Sequence, residues 1–170
     1  MIKSKSCLLI PLLLSLTLFG FFCKPVQINN EVQSKETAVR KLLNSRMYRF
    51  EPQFVQPQSG RSFQINNHFF DLHGDSISSY LPYFGVAFSG EIGRTKSPLD
   101  FNSSDFTYTS ANRSKGRTAI HILLKDQFTD ARQIYLNVSS SGSARLNVTF
   151  TNRQAISFQG EIRALPVKRK

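Results

Sequence analysis

The stretch D-L-H-G-D-S-I-S-S-Y-L-P-Y-F-G, residues 71–85, decides the fold. Gly74 and Asp75 are typical turn residues, and they separate two strands, the second of which covers residues 76–80. Pro82 then interrupts the pattern, because proline has no backbone N–H to donate to a sheet. We therefore predict a hairpin followed by a bulged corner, whose large apolar side chains close one end of the core.

On both sides of this hairpin, apolar and polar residues alternate with a period of two, which is typical of strands with one buried face. Short polar turns at 140–142 and 151–154 join the last three predicted strands into a meander. We predict an α+β, mainly β fold, in which an antiparallel curled sheet of roughly eight or nine strands carries an N-terminal helix packed on it. A closed barrel or a two-sheet sandwich is the alternative. The apolar series behind this prediction are Phe63 and Ile65; Phe84, Val86 and Phe88; Ile120, Ile122 and Leu124; Ile134, Leu136 and Val138; Leu146, Val148 and Phe150; and Ile156, Phe158 and Ile162.

A helix is predicted over Glu31–Arg46, ahead of the sheet. Asn30 is a suitable N-cap, and the acidic side chain of Glu31 suits the positive first turn of a helix. We expect the apolar stripe of this helix to lie on the sheet. The residues that fall near that stripe are Val32, Val39, Leu42, Leu43 and Met47.

Residues 1–23 have the pattern of an export signal. Lys3 and Lys5 precede an uncharged run rich in Leu, Ile and Phe, which is shorter than a membrane span of about 20 residues. We therefore expect an exported protein that is periplasmic or associated with the outer membrane; an uncleaved anchor is the alternative. Cys23 ends the run and is a candidate for lipidation, unless it leaves with the signal.

The cysteines limit the chemistry of the rest of the chain. Cys7 and Cys23 are the only two in the sequence, and both fall in the predicted signal. The part that folds therefore has no disulfide, no cysteine-based metal site and no cysteine nucleophile. Its length suits one domain. We divide the chain into a signal peptide (1–23), a tether and N-terminal helix (24–46), a β-rich domain (47–165) and a basic tail (166–170).

The sequence is basic, with 22 Lys and Arg against 11 Asp and Glu and a formal net charge of +11. Such a protein is attracted to phosphate and carboxylate groups, and the attraction weakens as salt rises. A polyanion site in two basic loops is one hypothesis, and scattered solubilising charge is the other. We do not expect nucleic acid as a partner, because an exported protein seldom meets it. The candidate polyanion-binding residues are Arg94, Lys96, Arg113, Lys115 and Arg117.

The residues that catalysis or metal binding requires form no recognisable pattern in the sequence. His68, His73 and His121 share no metal-ligand spacing, and motifs such as G-x-S-x-G are absent from the sequence. We therefore expect no enzyme activity, no metal and no cofactor. The alternative is a small hydrolase or lyase that pairs His73 with Asp71 or Asp75 across the turn.

The aromatic residues beside Pro82 favour a binding role. Exposed aromatic side chains concentrate binding energy at interfaces, and Tyr80, Tyr83 and Phe84 follow one another closely here. Our leading hypothesis is a non-catalytic cell-envelope protein that binds a protein or glycan partner through these three residues, at one end of the β-rich domain.

Three segments carry a resemblance to a known family: S-Y-L-P-Y-F-G at 79–85, F-N-S-S-D-F-T-Y at 101–108 and L-N-V-T-F-T-N-R-Q-A-I-S-F-Q-G at 146–160. They resemble an uncharacterised family of secreted proteins or lipoproteins of Bacteroidetes, domain of unknown function 4251, over about 47–162. The resemblance implies export to the cell envelope and a β-rich fold of this size. It implies no catalytic or binding residues.

The hairpin turn carries one further short similarity. Asp75-Ser76-Ile77 is similar to the Asp-Ser/Thr-aliphatic sequence that receives an O-glycan in secreted proteins of Bacteroidetes. Ser76 is therefore a candidate for O-glycosylation.

Overall fold

The computed structural model describes residues 28–58, 60–88, 96–127 and 129–167. In this part of the chain one helix precedes ten strands: α1 (Ile28–Ser45), β1 (Met47–Pro57), β2 (Phe63–Gln64), β3 (Phe69–His73), β4 (Ser76–Tyr80), β5 (Asp100–Ser103), β6 (Phe106–Arg113), β7 (Arg117–Leu124), β8 (Ala131–Val138), β9 (Ser143–Phe150) and β10 (Ile156–Arg163).

Several predicted features lie outside the described residues. They are the signal at 1–23 with the lipidation candidate Cys23, the cation Arg94, and residues 168–170 of the basic tail. Export, lipidation and any role of the tail therefore stay predictions.

The strands form one antiparallel sheet. Nine of them follow the order β5-β4-β3-β1-β10-β9-β8-β7-β6, and the two-residue β2 pairs with β1. Strands β8, β9 and β10 are neighbours, so the predicted meander is confirmed. The prediction of a mainly β, antiparallel fold with an N-terminal helix is confirmed as well.

The sheet curls until its edges approach each other, so that it is nearly closed and barrel-like. The edge strands β5 and β6 follow each other in the chain and are linked by residues 104–105. The curl brings β6 back towards the start of β1. A contact shows this: the guanidinium carbon of Arg46, the residue before β1, lies 4.5 Å from the centre of the Tyr108 ring in β6. Tyr48 is buried at the same seam, and burial raises the pKa of its hydroxyl well above the ordinary value.

Apolar side chains that point inward fill the space that the curled sheet encloses. Tyr48, Phe50, Phe70 and Phe158 are the bulkiest of them, and each has 0% of its surface exposed. Burying an apolar side chain of this size stabilises the fold by about 1.5–3 kcal/mol. Burial of these inward-facing residues, which the alternation in the sequence indicates, is therefore the main source of stability. Branched residues complete the core, among them Ile120, Ile122, Ile134, Leu136, Leu146 and Val148.

Helix α1 packs against one end of the sheet, but its start differs from the prediction. The helix begins at Ile28, so Asn30 lies within its first turn and is not the N-cap. Val39 and Leu43 are buried, with 7% and 6% of their surfaces exposed, whereas Val32 is 62% exposed. The apolar stripe is therefore shorter than predicted, because the first turns of the helix extend past the sheet.

The corner after β4 closes the opposite end of the sheet, as predicted. Leu81 is buried, with 2% of its surface exposed. The hydroxyl of Tyr83 donates a hydrogen bond to the carbonyl oxygen of Gln154 at 3.0 Å. This bond ties the corner to the loop between β9 and β10.

The residues that follow the corner do not form the strand that their alternation suggests. Phe84, Val86 and Phe88 are 43%, 57% and 69% exposed. The segment makes one isolated bridge, between Ala87 and Arg153. The corner is held at the end of the sheet, so the side chains of these apolar residues lie outside the core and stay exposed.

Candidate functional site

A groove of about 910 Å³ crosses the outer face of the sheet. The β6–β7 hairpin and strands β1, β8, β9 and β10 contribute to it. The side chains of Asn137 and Arg145 alternate along β8 and β9 with buried ones, so they point away from the core. We call this feature the outer groove and define it by six of its lining residues: Phe54, Arg113, Arg117, Asn137, Arg145 and Gln159.

Four of these residues lie directly opposite one another on neighbouring strands. Asn137 pairs with Arg145, and Arg145 pairs with Gln159. Gln159 in turn pairs with Phe54. Neighbouring strands are about 4.8 Å apart, so this row spans roughly 14 Å. It presents an amide, a guanidinium, a second amide and an aromatic ring in a line.

An irregularity in β1 shapes one end of the groove. The register shifts between Pro52 and Phe54, so Gln53 is an extra residue, and Gln53 and Phe54 are both exposed. A bulge of this kind re-aims side chains and increases the local twist. Gly160 lies opposite, where an added Cβ atom would collide with the carbonyl oxygen of Glu51. The bulge therefore depends on glycine at this position.

The groove is positively charged. Arg113 and Arg117 are paired across the β6–β7 hairpin, and Arg145 is exposed on β9. In the part of the chain that the structure describes, none of the three forms an ion pair with a carboxylate. Glu161 also lines the groove, but its carboxylate accepts a hydrogen bond from Arg163 at 3.2 Å.

The predicted polyanion residues divide between this groove and other surfaces. Arg113 and Arg117 line it. Lys115 lies at the tip of the hairpin with a φ angle of 62° and is not among the residues that line the groove, nor is Lys96. Arg145 was not among the predicted residues, because it lies in a strand rather than in a basic loop.

The predicted aromatic residues lie at the corner end of the sheet and differ in their surroundings. Tyr80 is 46% exposed, and its ring centre lies 5.2 Å from that of His68. Phe84 packs edge-to-face on Phe63 at 4.7 Å. Tyr83 is half-buried, and burial raises the pKa of its hydroxyl while the charge of Arg153 opposes the rise. Two of the three rings are therefore available to a partner, and Tyr83 holds the corner.

Exposed apolar residues at this end form a small patch. We call it the aromatic end and define it as Phe63, Phe84, Val86 and Phe88. Of these four residues, Phe84 was a predicted binding residue, and the other three were predicted to lie in strands.

The third sequence hypothesis paired His73 with a neighbouring aspartate. Asp71 instead accepts two hydrogen bonds from the guanidinium of Arg49, both at 2.7 Å. The ring of Phe69 covers the other side of Arg49, with 4.4 Å between the guanidinium carbon and the ring centre. The His73 ring nitrogen lies 3.8 Å from the same carboxylate. Asp71 therefore neutralises Arg49 and also lies beside His73.

The remaining predicted site residue lies on the hairpin turn. Ser76 is the first residue of β4 and is exposed, and its hydroxyl lies 3.4 Å from the carbonyl oxygen of His73. In the described residues, no group of three or more His, Cys, Asp or Glu side chains is placed to hold a metal ion. No helix in that part of the chain has the length and hydropathy of a membrane span.

Comparison with known proteins identifies what the chain is similar to. A family model described as "Domain of unknown function (DUF4251)" matches residues 30–162. Among solved structures, the crystal structure of a DUF4251 family protein from Bacteroides eggerthii DSM 20697 has 12% sequence identity and a TM-score of 0.55. The match covers 77% of this chain and 88% of that chain. At this identity the likeness shows the fold alone. No curated protein matches the chain.

Proposed function

Because this chain belongs to the DUF4251 family, as its segments at 79–85, 101–108 and 146–160 indicated, we propose a function from its own residues. The protein is a non-catalytic component of the cell envelope that binds an anionic polymer in the outer groove. The observation that carries this proposal is a set of three arginines around one groove that have no carboxylate partner among the described residues.

Arginine is suited to this task by its shape. Its guanidinium is planar and always charged, and it donates two parallel hydrogen bonds to a carboxylate or a phosphate. An arginine with no carboxylate partner in the described part of the chain has guanidinium N–H groups that a ligand can use, although Nε of Arg117 donates to the carbonyl oxygen of Ser114 at 3.4 Å. Three of them along one groove favour a ligand that repeats its negative charge.

Length also favours a polymer over a small anion. The row from Asn137 to Phe54 spans roughly 14 Å, and Arg113 and Arg117 extend the charged surface beyond it. A single carboxylate or phosphate fills only a small part of about 910 Å³. A chain of charged units fills the groove and contacts several arginines at once.

The location that we propose agrees with this ligand. In this proposal, a leader at 1–23 and a lipid tether on Cys23 direct the protein to the periplasm or the outer membrane. Without Lys3 and Lys5 of the leader, 20 of the 22 Lys and Arg remain against 11 Asp and Glu. A protein with this net charge of +9 in that compartment meets anionic polymers at the cell surface.

The test compares two variants of equal charge. One replaces Arg113, Arg117 and Arg145 together by glutamine. The control replaces three exposed cations elsewhere, Arg61, Lys96 and Lys125, by glutamine. Binding of polygalacturonate and of inorganic polyphosphate is measured by calorimetry over a range of salt concentrations.

We expect the groove variant to lose at least about tenfold in affinity for whichever polymer binds, because charge-assisted hydrogen bonds are lost. The control variant loses less than about threefold, since distant exposed charges are screened. Equal losses in the two variants would show diffuse attraction to the whole surface and would contradict the proposal, as would the absence of binding to either polymer.

The aromatic end supports a second candidate function, which is binding of a protein partner. Its four residues are between 39% and 69% exposed, and apolar side chains grouped in this way occur at protein interfaces. The matching experiment is cross-linking in host cells with a Phe84→Ser, Val86→Ser variant. Leu123→Ser is the control, because Leu123 is 39% exposed on the outer face of β7. Partners that are lost only with the first variant would establish this function, and an unchanged set would remove it.

A further inference from the structure

We propose that the ligand of the outer groove is a polysaccharide that carries carboxylates, and that Tyr135 binds one of its sugar rings. This inference rests on the proposed function, because it names the chemical class of the polymer that the arginines attract. Tyr135 and its neighbours form a second row of side chains beside the groove, and that row carries the argument.

The second row follows from the registers of the same strands. Its members lie directly opposite one another and two residues along each strand from the row that includes Asn137 and Arg145. The distance between the rows is therefore about 7 Å. Both rows face outward and form one continuous polar surface. From β6 to β1 the second row contains Thr109, His121, Tyr135, Asn147, Ser157 and Gln56.

Tyr135 is an exposed ring that its neighbours hold in place. It stacks on His121, with 4.5 Å between ring centres and 11° between ring planes. Its hydroxyl donates to Oε1 of Gln133 at 2.5 Å, and the same oxygen lies 3.1 Å from Nε2 of His121. The ring is 39% exposed. A flat apolar surface that is already ordered loses little conformational entropy when a ligand packs on it.

The C–H face of a sugar ring packs on such a surface. Phe54 offers a second ring in the outer groove, with 43% of its surface exposed. Tyr135 and Phe54 are separated by β9 and β10, since Tyr135 lies opposite Asn147 and Phe54 lies opposite Gln159. A chain of linked sugars reaches both rings, whereas a single sugar reaches one.

The polar groups between the rings suit hydroxyls rather than phosphates. Asn137 and Gln159 each offer an amide N–H donor and a carbonyl acceptor. Oδ1 of Asn147 accepts from the hydroxyl of Ser157 at 2.6 Å, which leaves its N–H groups to donate. Hydroxyl groups both donate and accept, so they satisfy amides of this kind. The non-bridging oxygens along a polyphosphate chain carry no proton and only accept, so they pair with the amide N–H groups and not with the amide carbonyls.

The choice of cation agrees with this assignment. The charged donors that line the groove are Arg113, Arg117 and Arg145, and no described lining residue is a lysine. The planar guanidinium donates two parallel hydrogen bonds to a planar carboxylate, as it does to a phosphate, so the arginines suit a uronic acid while the amides and the aromatic rings distinguish it from a polyphosphate. Uronic-acid polymers combine this carboxylate with sugar rings and hydroxyls.

The experiment separates the sugar from the charge. The natural protein is titrated calorimetrically with polygalacturonate, poly-glutamate, inorganic polyphosphate and dextran at one fixed salt concentration. Tyr135→Leu removes the ring from the second row. The matched control is Tyr80→Leu, because Tyr80 is also exposed and its ring centre also lies near a histidine ring, 5.2 Å from that of His68.

We expect polygalacturonate to bind at least about tenfold more tightly than poly-glutamate or polyphosphate at equal charge concentration, and dextran to bind more weakly than polygalacturonate. We expect Tyr135→Leu to lower the affinity for polygalacturonate at least about fivefold and to leave the affinity for poly-glutamate unchanged. Tyr80→Leu should change neither affinity.

Two results would overturn the inference, and they differ in what they leave standing. If all three anionic polymers bind equally and Tyr135→Leu has no effect, the sugar assignment is wrong and the anion-binding function survives. If none of the three anionic polymers binds, the proposed function and this inference both fail.

Discussion

Arginines serve different purposes in two regions of this sheet. On β1, Arg49 donates two hydrogen bonds of 2.7 Å to Asp71, whose side chain is 6% exposed. In the outer groove, Arg117 and Arg145 are exposed and, among the described residues, have no carboxylate partner. The first arrangement uses its charge within the fold, and the second leaves its charge exposed, where the proposed ligand would bind.

The contrast shows how a basic sequence is to be interpreted. Net charge alone does not distinguish arginines that stabilise the fold from those that are free to bind. The number of carboxylates near each arginine makes the distinction, and that depends on strand register. If the two regions differ in this way, substitutions at Arg49 and its partner lower the free energy of unfolding, whereas substitutions of the groove arginines hardly change it.

The largest effect is expected where β10 packs against the bulge of β1, the strand that both regions share. Gly160→Ala places a Cβ atom against the backbone of Glu51 and Pro52, with 2.7 Å to Cα of Pro52. Backbone atoms cannot move aside as a flexible side chain does. We therefore expect Gly160→Ala to lower the free energy of unfolding by at least about 3 kcal/mol. Urea denaturation measures it. Gly60→Ala is the control, because an added Cβ there has no atom within 4 Å, and equal stabilities for the two variants would contradict the account of the bulge.

The next effect concerns the paired arginine. Asp71→Ala leaves Arg49 without its carboxylate, and we expect the free energy of unfolding to fall by about 2 kcal/mol. The value lies below that of a fully buried pair, because the Arg49 side chain is 21% exposed. Urea denaturation checks this, with Asp75→Ala on the exposed turn as control. A change below about 0.5 kcal/mol would place Arg49 among the arginines that do not stabilise the fold.

A third effect appears only at alkaline pH and concerns the buried seam. The pKa of Tyr48 is raised by burial above its ordinary value of 10.0. The unfolded chain therefore loses this proton first as pH rises, so stability is fully present below pH 10 and decreases above it by up to about 1.4 kcal/mol per pH unit.

Replacing Tyr48 by phenylalanine removes this dependence. We expect the Tyr48→Phe variant to lose less stability than the natural protein between pH 10 and pH 11, measured by urea denaturation at each pH. The comparison of the two proteins at pH 8 is the control, since the group is protonated there in both states. Equal slopes above pH 10 would show that the seam opens to water.

The smallest effect on stability belongs to the groove. Replacing Arg113, Arg117 and Arg145 by glutamine should change the free energy of unfolding by less than about 0.5 kcal/mol, because exposed charges without partners contribute little. Thermal or urea unfolding checks this. A loss of 2 kcal/mol or more would show that these arginines stabilise the fold, and the contrast with Arg49 would disappear.

Much of the fold was predictable because its signals are local. Alternation such as Ile134, Leu136 and Val138 identified the strands, and the short turns at 140–142 and 151–154 identified the meander. The helix start was misplaced by three residues, because Asn30 resembles a cap while the helix begins at Ile28. Residues 84–88 alternate like a strand, but the hydrogen bond of Tyr83 to Gln154 holds them outside the sheet.

The outer groove was missed because its residues are far apart in sequence. Phe54 and Gln159 meet only through the pairing of β1 with β10, and the bulge at Gln53 shifts that register. Part of the groove could have been found. Short hairpins fix register, so the turn at 140–142 places Asn137 opposite Arg145, and the turn at 151–154 places Arg145 opposite Gln159.

Nuclear magnetic resonance tests the central claim most directly. Amide shifts of the natural protein are followed while a short oligogalacturonate is added. We predict that the changes concentrate at Asn137, Arg145 and Gln159 and extend to Tyr135, while the aromatic end, with Phe84 and Val86, stays unchanged. Changes centred on the aromatic end, or none at any concentration, would contradict the assignment of the outer groove as the binding site.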